Sequence, residues 1–108
     1  MPTFMTQFSY TGETLAALAK SPEDRSAPLA RLMEALGGRL VAFYYCFGEY
    51  DGLAIYEAPD ASTALTGVVT VGLASHLKAT KTTQLFTVAE AMAAMGKSGQ
   101  IVFKAPAG

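Results

Sequence analysis

The chain has few of the residues from which covalent and metal sites are built. Its 108 residues include one cysteine and one histidine, and no tryptophan. A lone cysteine, Cys46, excludes an internal disulfide, and one cysteine with one histidine excludes the common zinc clusters. No glycine-rich phosphate loop, nucleophile elbow or carboxylate pair of recognised spacing is present. We therefore expect neither a metal site nor a cofactor.

Charged residues and long apolar runs are also scarce. Charged types make up 16% of the chain, and eight Lys/Arg against nine Asp/Glu give a formal net charge of −1. This balance excludes a nucleic-acid binder that works through a basic face. The longest apolar stretch, residues 64–74, is about half a membrane span, and residues 1–10 do not resemble a signal peptide. We expect a cytoplasmic protein with no membrane and no nucleic acid among its partners.

Apolar residues are abundant, at 51% of the chain, and their periodicity predicts the secondary structure. Alternating or β-branched segments predict four strands, at residues 3–10, 39–47, 53–57 and 78–86. Capping residues predict where helices start: Thr11, Ser21, Asp60 and Thr87. Pro28 is expected to break or kink the segment that starts at Ser21, which leaves two short helices before the second strand. The helix after Asp60 is expected to span about residues 61–75.

The order of these elements predicts an α+β fold of the ferredoxin-like class. Strand, helix, strand, strand, helix, strand is the split βαβ pattern, with a four-stranded antiparallel sheet and helices on one face. A further helix and a short apolar arm, residues 101–103, follow. We interpret residues 1–108 as one domain with a core over about residues 3–95 and a C-terminal arm over residues 96–108.

The strand at residues 39–47 predicts a homodimer because both of its faces are apolar. Simple alternation places Val41, Phe43, Tyr45 and Phe47 on one face, and Leu40, Ala42, Tyr44 and Cys46 on the other. Helices can cover one face only, and burying each aromatic side chain of the second face is worth about 1.5–3 kcal/mol. A second copy of the sheet is the simplest cover. The alternative is that residues 101–103 fold back over this face.

Several motifs resemble the GYD domain family. They are Pro22-Glu23-Asp24-Arg25, Gly37-Gly38, an apolar strand with Tyr44, Gly48-Glu49-Tyr50-Asp51 and Glu57-Ala58-Pro59-Asp60. The resemblance runs over about residues 3–95 and implies a dimeric α/β barrel, in which two ferredoxin-like protomers pack sheet to sheet. It supplies no catalytic residues, because the function of the family is unassigned. Families with related architectures include cofactor-independent monooxygenases, isomerases and ligand-sensing domains, but fold does not fix function.

Two residues are candidates for proton transfer. Asp51, in the turn with Tyr50, could act as an acid or base at the mouth of a pocket, with Tyr50 as a hydrogen-bonding group. The alternative is that Asp51 serves turn geometry and Tyr50 anchors the loop. His76 is expected at the C-terminal end of a helix, where the helix dipole would hold its pKa near or above neutral. The alternative role for His76 is a helix cap.

Candidate ligand-binding residues come mainly from the phenols. A pocket lined by Tyr44, Tyr56 and Glu57 would suit a small aromatic or polyketide-like ligand. Glu57 and Arg25 are the expected hydrogen-bond partners of buried phenols. The alternative for these side chains is a hydrogen-bonded interface network. Cys46 is expected to be a buried, inert thiol.

Three functions are therefore compatible with the sequence. The first is a homodimer that binds a small organic molecule in a cavity between helices and sheet. The second is a cofactor-independent monooxygenase or isomerase acting on small aromatic or lactone substrates, with His76 or Asp51 moving a proton. The third is a non-catalytic assembly or regulatory subunit whose chemistry lies in its interface.

Overall fold

The computed structural model describes residues 1–107. Four strands and four helices follow one another along the chain. They are β1 (Thr3–Tyr10), α1 (Gly12–Lys20), α2 (Ser26–Ala35), β2 (Arg39–Tyr45), β3 (Gly52–Glu57), α3 (Ala61–Leu73), β4 (Leu77–Leu85) and α4 (Val88–Ser98). No helix among the described residues has the length and apolar character needed to cross a membrane.

The strands form one antiparallel sheet in the order β2-β3-β1-β4. The two strands that begin the βαβ units, β1 and β3, lie at the centre, and β2 and β4 lie at the edges. This is the strand order of the split βαβ motif. The predicted α+β, ferredoxin-like fold is confirmed.

Side-chain caps fix three of the helix starts. The Thr11 hydroxyl accepts a hydrogen bond from the Thr14 N–H, and the Asp60 carboxylate accepts one from the Thr63 N–H. Thr87 and Glu90 form a reciprocal capping box at the start of α4. Each cap satisfies backbone donors that have no partner within the helix, so these starts were predictable from single residues.

The predicted helix start at Ser21 is wrong. Ser21 ends α1, with its N–H bonded to the Ala17 carbonyl, and α2 begins only at Ser26. The Asp24 carboxylate accepts a hydrogen bond from the Ser26 N–H. Pro28 is therefore the third residue of α2 and interrupts nothing, because an N–H in the first turn has no intrahelical partner to lose. The prediction of two short helices before β2 is confirmed.

A β-bulge in β2 changes which residues share a face. Leu40 pairs with Tyr56 and Ala42 pairs with Ile55, so Val41 is the extra residue. As a result Leu40 lies on the same side as Phe43 and packs against the core with it, contrary to simple alternation. Alternation cannot reveal a bulge, because the extra residue leaves no mark in the polarity of the sequence.

The buried core lies between the sheet and the helices α2 and α3. It consists of Phe4, Met33, Ala54, Tyr56, Ala58 and Ala64. Gly67 lets α3 approach α2 closely, since a Cβ there would lie 3.1 Å from the Met33 methyl carbon and 3.3 Å from Leu36 Cδ1. Small residues on the inner side of α3 thus determine the spacing of the two helices.

The opposite side of the sheet, here called the open sheet face, carries an apolar set in β1, β2 and β3. The pairing register and burial pattern assign to it Met5, Ala42, Tyr44, Leu53 and Ile55. Tyr44 is 62% exposed. Within one protomer this face is therefore covered less well than the helix-side core, where Ala54 and Tyr56 are buried.

The C-terminal arm does not fold back over the open sheet face. Ile101, Val102 and Phe103 are 72%, 94% and 92% exposed. The apolar stripe of α4, formed by Val88, Met92 and Met95, is exposed as well. The molecule is consequently elongated, with a longest dimension of 58 Å. The predicted arm ends at Gly108, which lies outside the described residues.

Candidate functional site

A cavity of about 280 Å³ lies between α2, α3 and the helix side of the sheet. Its wall is mainly apolar, with contributions from Leu29, Leu32, Met33, Phe43, Val68 and Val71. Its volume is close to the lower limit of small-molecule pockets, about 300 Å³. The site can therefore enclose a small organic molecule with an apolar body.

Several hydroxyl groups at or beside the sheet side of the cavity bond to one another. Tyr56 Oη and Thr6 Oγ1 are 2.8 Å apart, and Thr6 Oγ1 also lies 2.9 Å from Thr82 Oγ1. The phenol oxygens of Tyr10 and Tyr45 are 3.0 Å apart. Burial, and then the hydrogen bond to Tyr45, raise the pKa of Tyr10, so this phenol is uncharged at neutral pH. The predicted phenol partners, Glu57 and Arg25, do not occupy these positions.

His76 lines the cavity from the segment that joins α3 to β4. The helix ends at Leu73, earlier than predicted, because Ser75 adopts a left-handed conformation with φ of 61°. The His76 carbonyl accepts a hydrogen bond of 3.0 Å from the Thr11 N–H, which fixes the segment to the start of α1. The imidazole lies 6.1 Å from the Tyr10 ring, between centroids. The His76 Nδ1 is shielded from solvent and has no hydrogen-bond partner among the described residues.

The expectation for the charge of His76 is wrong. Burial lowers its pKa below the ordinary value of 6.5, and the positive charge of Arg25 lowers it further. The pKa is lowered although His76 follows the C-terminal end of α3 by three residues. His76 is therefore neutral at pH 7 and offers one N–H donor and one acceptor.

Arg25 is the one charged residue among the described residues that line the cavity. It immediately precedes α2, and its Nη1 donates a hydrogen bond of 2.8 Å to Glu23 Oε1. Both partners are partly exposed to water, so this ion pair is worth less than about 1 kcal/mol. A guanidinium has five N–H donors, and among the described residues only this one bond engages it.

Asp51 and Tyr50 lie in the β2–β3 turn and do not line this cavity. The Asp51 carboxylate accepts a hydrogen bond from the Tyr10 N–H at the end of β1. The Tyr50 carbonyl accepts a hydrogen bond from the Cys46 thiol, with 3.3 Å between sulfur and oxygen. Cys46 is exposed, contrary to the expectation of a buried thiol, because β2 ends at Tyr45.

The structure does not bring Tyr44, Tyr56 and Glu57 into one pocket within a protomer. Tyr56 faces the helices, whereas Tyr44 and Glu57 occupy alternate positions that belong to the open sheet face. Glu57 Oε1 instead accepts a hydrogen bond of 2.6 Å from Arg39 Nε across the sheet. Of the residues predicted from the sequence, the cavity brings together Arg25, Tyr56 and His76.

Sequence reasoning missed the helical wall of the cavity and a second surface on α3. The inner side of α3 contributes Gly67, Val68, Thr70 and Val71 to the lining. The outer side exposes Leu65, Val69 and Leu73, four residues apart, which we call the α3 outer stripe. The signal was available in part, because Ala64 and Gly67 are small residues that permit a close helix contact.

Metal binding has no support in the described part of the chain. Residues 1–107 contain no group of three histidine, cysteine, aspartate or glutamate side chains close enough to hold a metal ion. The lining of the cavity offers an imidazole, a guanidinium and hydroxyl groups. These groups bind organic or anionic ligands through hydrogen bonds.

Comparison with known proteins assigns the family. The profile of the GYD domain matches residues 4–95. The chain belongs to the GYD domain family.

A protein of Thermus thermophilus named "Glutamine synthetase and cystathionine beta-lyase binding protein" is 31% identical over 93 residues, which cover 86% of this chain and 97% of that protein. The crystal structure of a Thermus thermophilus protein has a TM-score of 0.51 at 23% identity, covering 82% of this GYD chain and 96% of that one. The structural similarity shows the ferredoxin-like fold of this GYD domain and no more.

Proposed function

We propose that this GYD domain protein is a homodimer that binds a small organic molecule in the cavity between α2, α3 and the sheet. The observation that carries the proposal is the cavity itself, with its apolar wall and the polar groups of His76 and Arg25 at its lining. A mainly apolar pocket with a few convergent polar groups is typical of small-molecule sites. Apolar contact supplies the affinity, and the polar groups orient the ligand.

Native mass spectrometry of the freshly purified full chain tests this function. We expect a dimer that carries a reproducible additional mass of a few hundred daltons or less, which fragmentation identifies. Adding the identified compound to stripped protein should raise the melting temperature, because a ligand that binds only the folded state stabilises it. Val71→Phe, which fills the cavity, should abolish the shift, whereas Val69→Phe on the outer side of α3 should retain it.

The homodimer part of the proposal rests on the open sheet face. Its apolar residues require a cover, and the exposed C-terminal arm does not supply one within the protomer. Tyr44→Glu should raise the dimer dissociation constant while leaving the monomer folded, since Tyr44 is mostly exposed in the protomer. Leu15→Glu on α1 is the matched control, an exposed apolar residue on a different element. Analytical ultracentrifugation over a concentration series measures both variants.

The structure also limits the enzymatic alternative. A neutral His76 is able to accept a proton, but Asp51 is bonded to the backbone of β1 and lies away from the cavity. Of the two predicted proton-transfer residues, only His76 would serve a monooxygenase or isomerase that uses this cavity. Loss of turnover in His76→Ala, with its melting temperature retained and its ligand still bound, would favour an enzyme over a binding protein.

A second function, binding to other proteins, is favoured by two observations. The Thermus relative is named for binding glutamine synthetase and cystathionine beta-lyase, and the α3 outer stripe is an exposed apolar surface. This stripe lies on the helix side of the molecule, so sheet-to-sheet dimerisation leaves it accessible. We propose that the stripe docks a metabolic enzyme of this type, which makes the protein an assembly or regulatory subunit.

Biolayer interferometry with purified glutamine synthetase and cystathionine beta-lyase from the source organism tests the second function. Leu65→Asp combined with Leu73→Asp should weaken binding at least about tenfold, since each removes a large apolar contact. Leu15→Asp serves as the control and should bind like the unmodified protein. Binding that is unaffected by the stripe variants would assign the contact to another surface, and absence of binding to both enzymes would remove this function.

A further inference from the structure

The polar groups of the cavity define the chemistry of its ligand. Among the hydroxyls of the lining, Thr6 is bonded to Tyr56 and also to Thr82 outside the lining, and Tyr10 is bonded to Tyr45 outside the lining. Thr70 donates to the Thr66 carbonyl. These groups do not need a ligand to satisfy them. The His76 imidazole, by contrast, lines the cavity, and among the described residues its Nδ1 has no hydrogen-bond partner. Since Nδ1 is shielded from water on the protein alone, a ligand in the cavity can meet His76 only through Nε2.

The charge of the cavity lining has one sign. Among the described residues, Arg25 is the only charged one in the lining, and no carboxylate side chain belongs to it. Glu23 engages one N–H of Arg25 from the outer side, where it lines a neighbouring, more polar depression with Arg25 and His76. The remaining N–H donors of Arg25 are available to an oxygen acceptor. The cavity therefore combines an apolar wall with donors at Arg25 and His76.

We infer that the cavity takes a monocarboxylate with a short apolar tail, with the carboxylate at Arg25 and His76 and the tail among Leu29, Leu32 and Phe43. This inference rests on the proposed small-molecule function and specifies its ligand class. A carboxylate accepts from the guanidinium, and a neutral imidazole in the Nε2–H tautomer donates to its second oxygen. An inorganic anion fits less well, because it has no apolar part to contact the apolar wall of the cavity.

The helix N-terminus is not the anion site. The Asp24 carboxylate already accepts a hydrogen bond from the Ser26 N–H at the start of α2. A ligand carboxylate must therefore be held by side chains. This makes the site sensitive to Arg25 and to the competing carboxylate of Glu23, and the two residues should have opposite effects on affinity.

Isothermal titration calorimetry with matched probes tests the inference on the full chain at pH 7.5. The probes are 3-phenylpropanoate, 4-methylpentanoate and hexanoate, each paired with its uncharged primary amide. At least one acid should bind about tenfold more tightly than its amide, the effect of a charge-assisted hydrogen bond. Arg25→Gln should remove most of this preference. Glu23→Gln should strengthen acid binding severalfold without changing amide binding. Arg31→Gln, an exposed arginine of α2 outside the cavity lining, should change neither.

The outcomes separate the ligand class from the function. If acids and amides bind equally and Val71→Phe abolishes both, the cavity binds small molecules but the carboxylate inference is overturned. If no probe binds and native mass spectrometry shows an uncharged cargo, the inference is likewise overturned and the function stands. If no probe binds and no cargo is present, both the carboxylate inference and the proposed small-molecule function are overturned. A preference for acids that Arg25→Gln leaves intact places the carboxylate elsewhere and overturns the assignment.

Discussion

The Asp51 carboxylate accepts a hydrogen bond of 2.9 Å from the Tyr10 backbone N–H, which joins the β2–β3 turn to the end of β1. The backbone of Asp51 supports the same junction. Its N–H donates to the Phe8 carbonyl, and its carbonyl accepts from the Cys46 N–H, each at 2.8 Å. Asp51 thus holds three segments together at one end of the sheet, a role in turn geometry rather than in the cavity.

Removing the Asp51 side chain should destabilise the fold. Asp51→Ala leaves the Tyr10 N–H without its acceptor, and a lost hydrogen bond to a charged group costs about 1.5–3 kcal/mol. Asp51→Asn keeps an acceptor and should cost less. Urea unfolding measures both, with Glu49→Ala in the same turn as a control that should stay within about 0.5 kcal/mol. Equal stability of Asp51→Ala and the unmodified protein would contradict the junction role.

A glycine at position 75 should stabilise the protein. Ser75 has a φ of 61°, directly after the α3 C-cap, where the left-handed conformation is strained for any residue with a Cβ. Ser75→Gly should therefore raise the unfolding free energy by up to about 1 kcal/mol. The same change at Ser62, the second residue of α3, relieves no left-handed conformation and should not raise it. Parallel urea titrations give both values, and a loss of stability in Ser75→Gly would contradict the strain argument.

Two glycine-to-alanine changes should have opposite effects. A Cβ at Gly38 would collide with the Glu57 backbone carbonyl, where β2 begins beside β3. Gly38→Ala should therefore cost about 1–3 kcal/mol, because backbone rather than a flexible side chain must move. A Cβ at Gly12 meets nothing within 4 Å in the first turn of α1. Gly12→Ala should be neutral or stabilising by up to about 1 kcal/mol. Differential scanning calorimetry of the two variants measures the contrast.

The fold was predictable because its signals are local. Thr11, Asp60 and Thr87 each cap a helix, and alternation within 3–10 and 53–57 identifies the central strands. The order of strands and helices along the chain is then compatible with only a few sheet topologies. The predicted helix boundaries were wrong where one residue type is compatible with two positions in a helix. Ser21 is as suitable for ending a helix as for starting one, and Pro28 is tolerated in a first turn that nothing in the sequence marks.

The site was less predictable because it depends on distances between elements. His76 and Arg25 are 51 positions apart in the chain, and only the packing of the α3–β4 segment beside the start of α2 brings the guanidinium charge to the imidazole. The depressed pKa of His76 follows from that packing and not from the residue type. The bulge at Val41 places Leu40 on the core side with Phe43. Neither relationship leaves a local pattern in the sequence.

The depressed pKa of His76 predicts a loss of stability on mild acidification. The unfolded chain titrates near the ordinary value of 6.5, whereas burial and Arg25 lower the pKa in the folded state. Below pH 6.5 the unfolded state therefore takes up the proton first, and the unfolding free energy falls with pH until the folded pKa is passed. Hydrogen bonds lower the pKa values of Asp24, Asp60 and Glu90 too, but from ordinary values of 3.8 to 4.5, so these groups act at lower pH.

Urea unfolding at half-unit steps from pH 7.5 to 5 isolates the contribution of His76. The unmodified protein should lose stability between pH 6.5 and 5, and His76→Gln should show a flatter profile over the same interval, because glutamine does not titrate. Arg25→Gln should make the loss smaller, since removing the neighbouring positive charge brings the pKa of the folded state closer to that of the unfolded chain. A stability profile of His76→Gln that matches the unmodified protein would show that neither burial nor Arg25 shifts the pKa of His76 in the folded state.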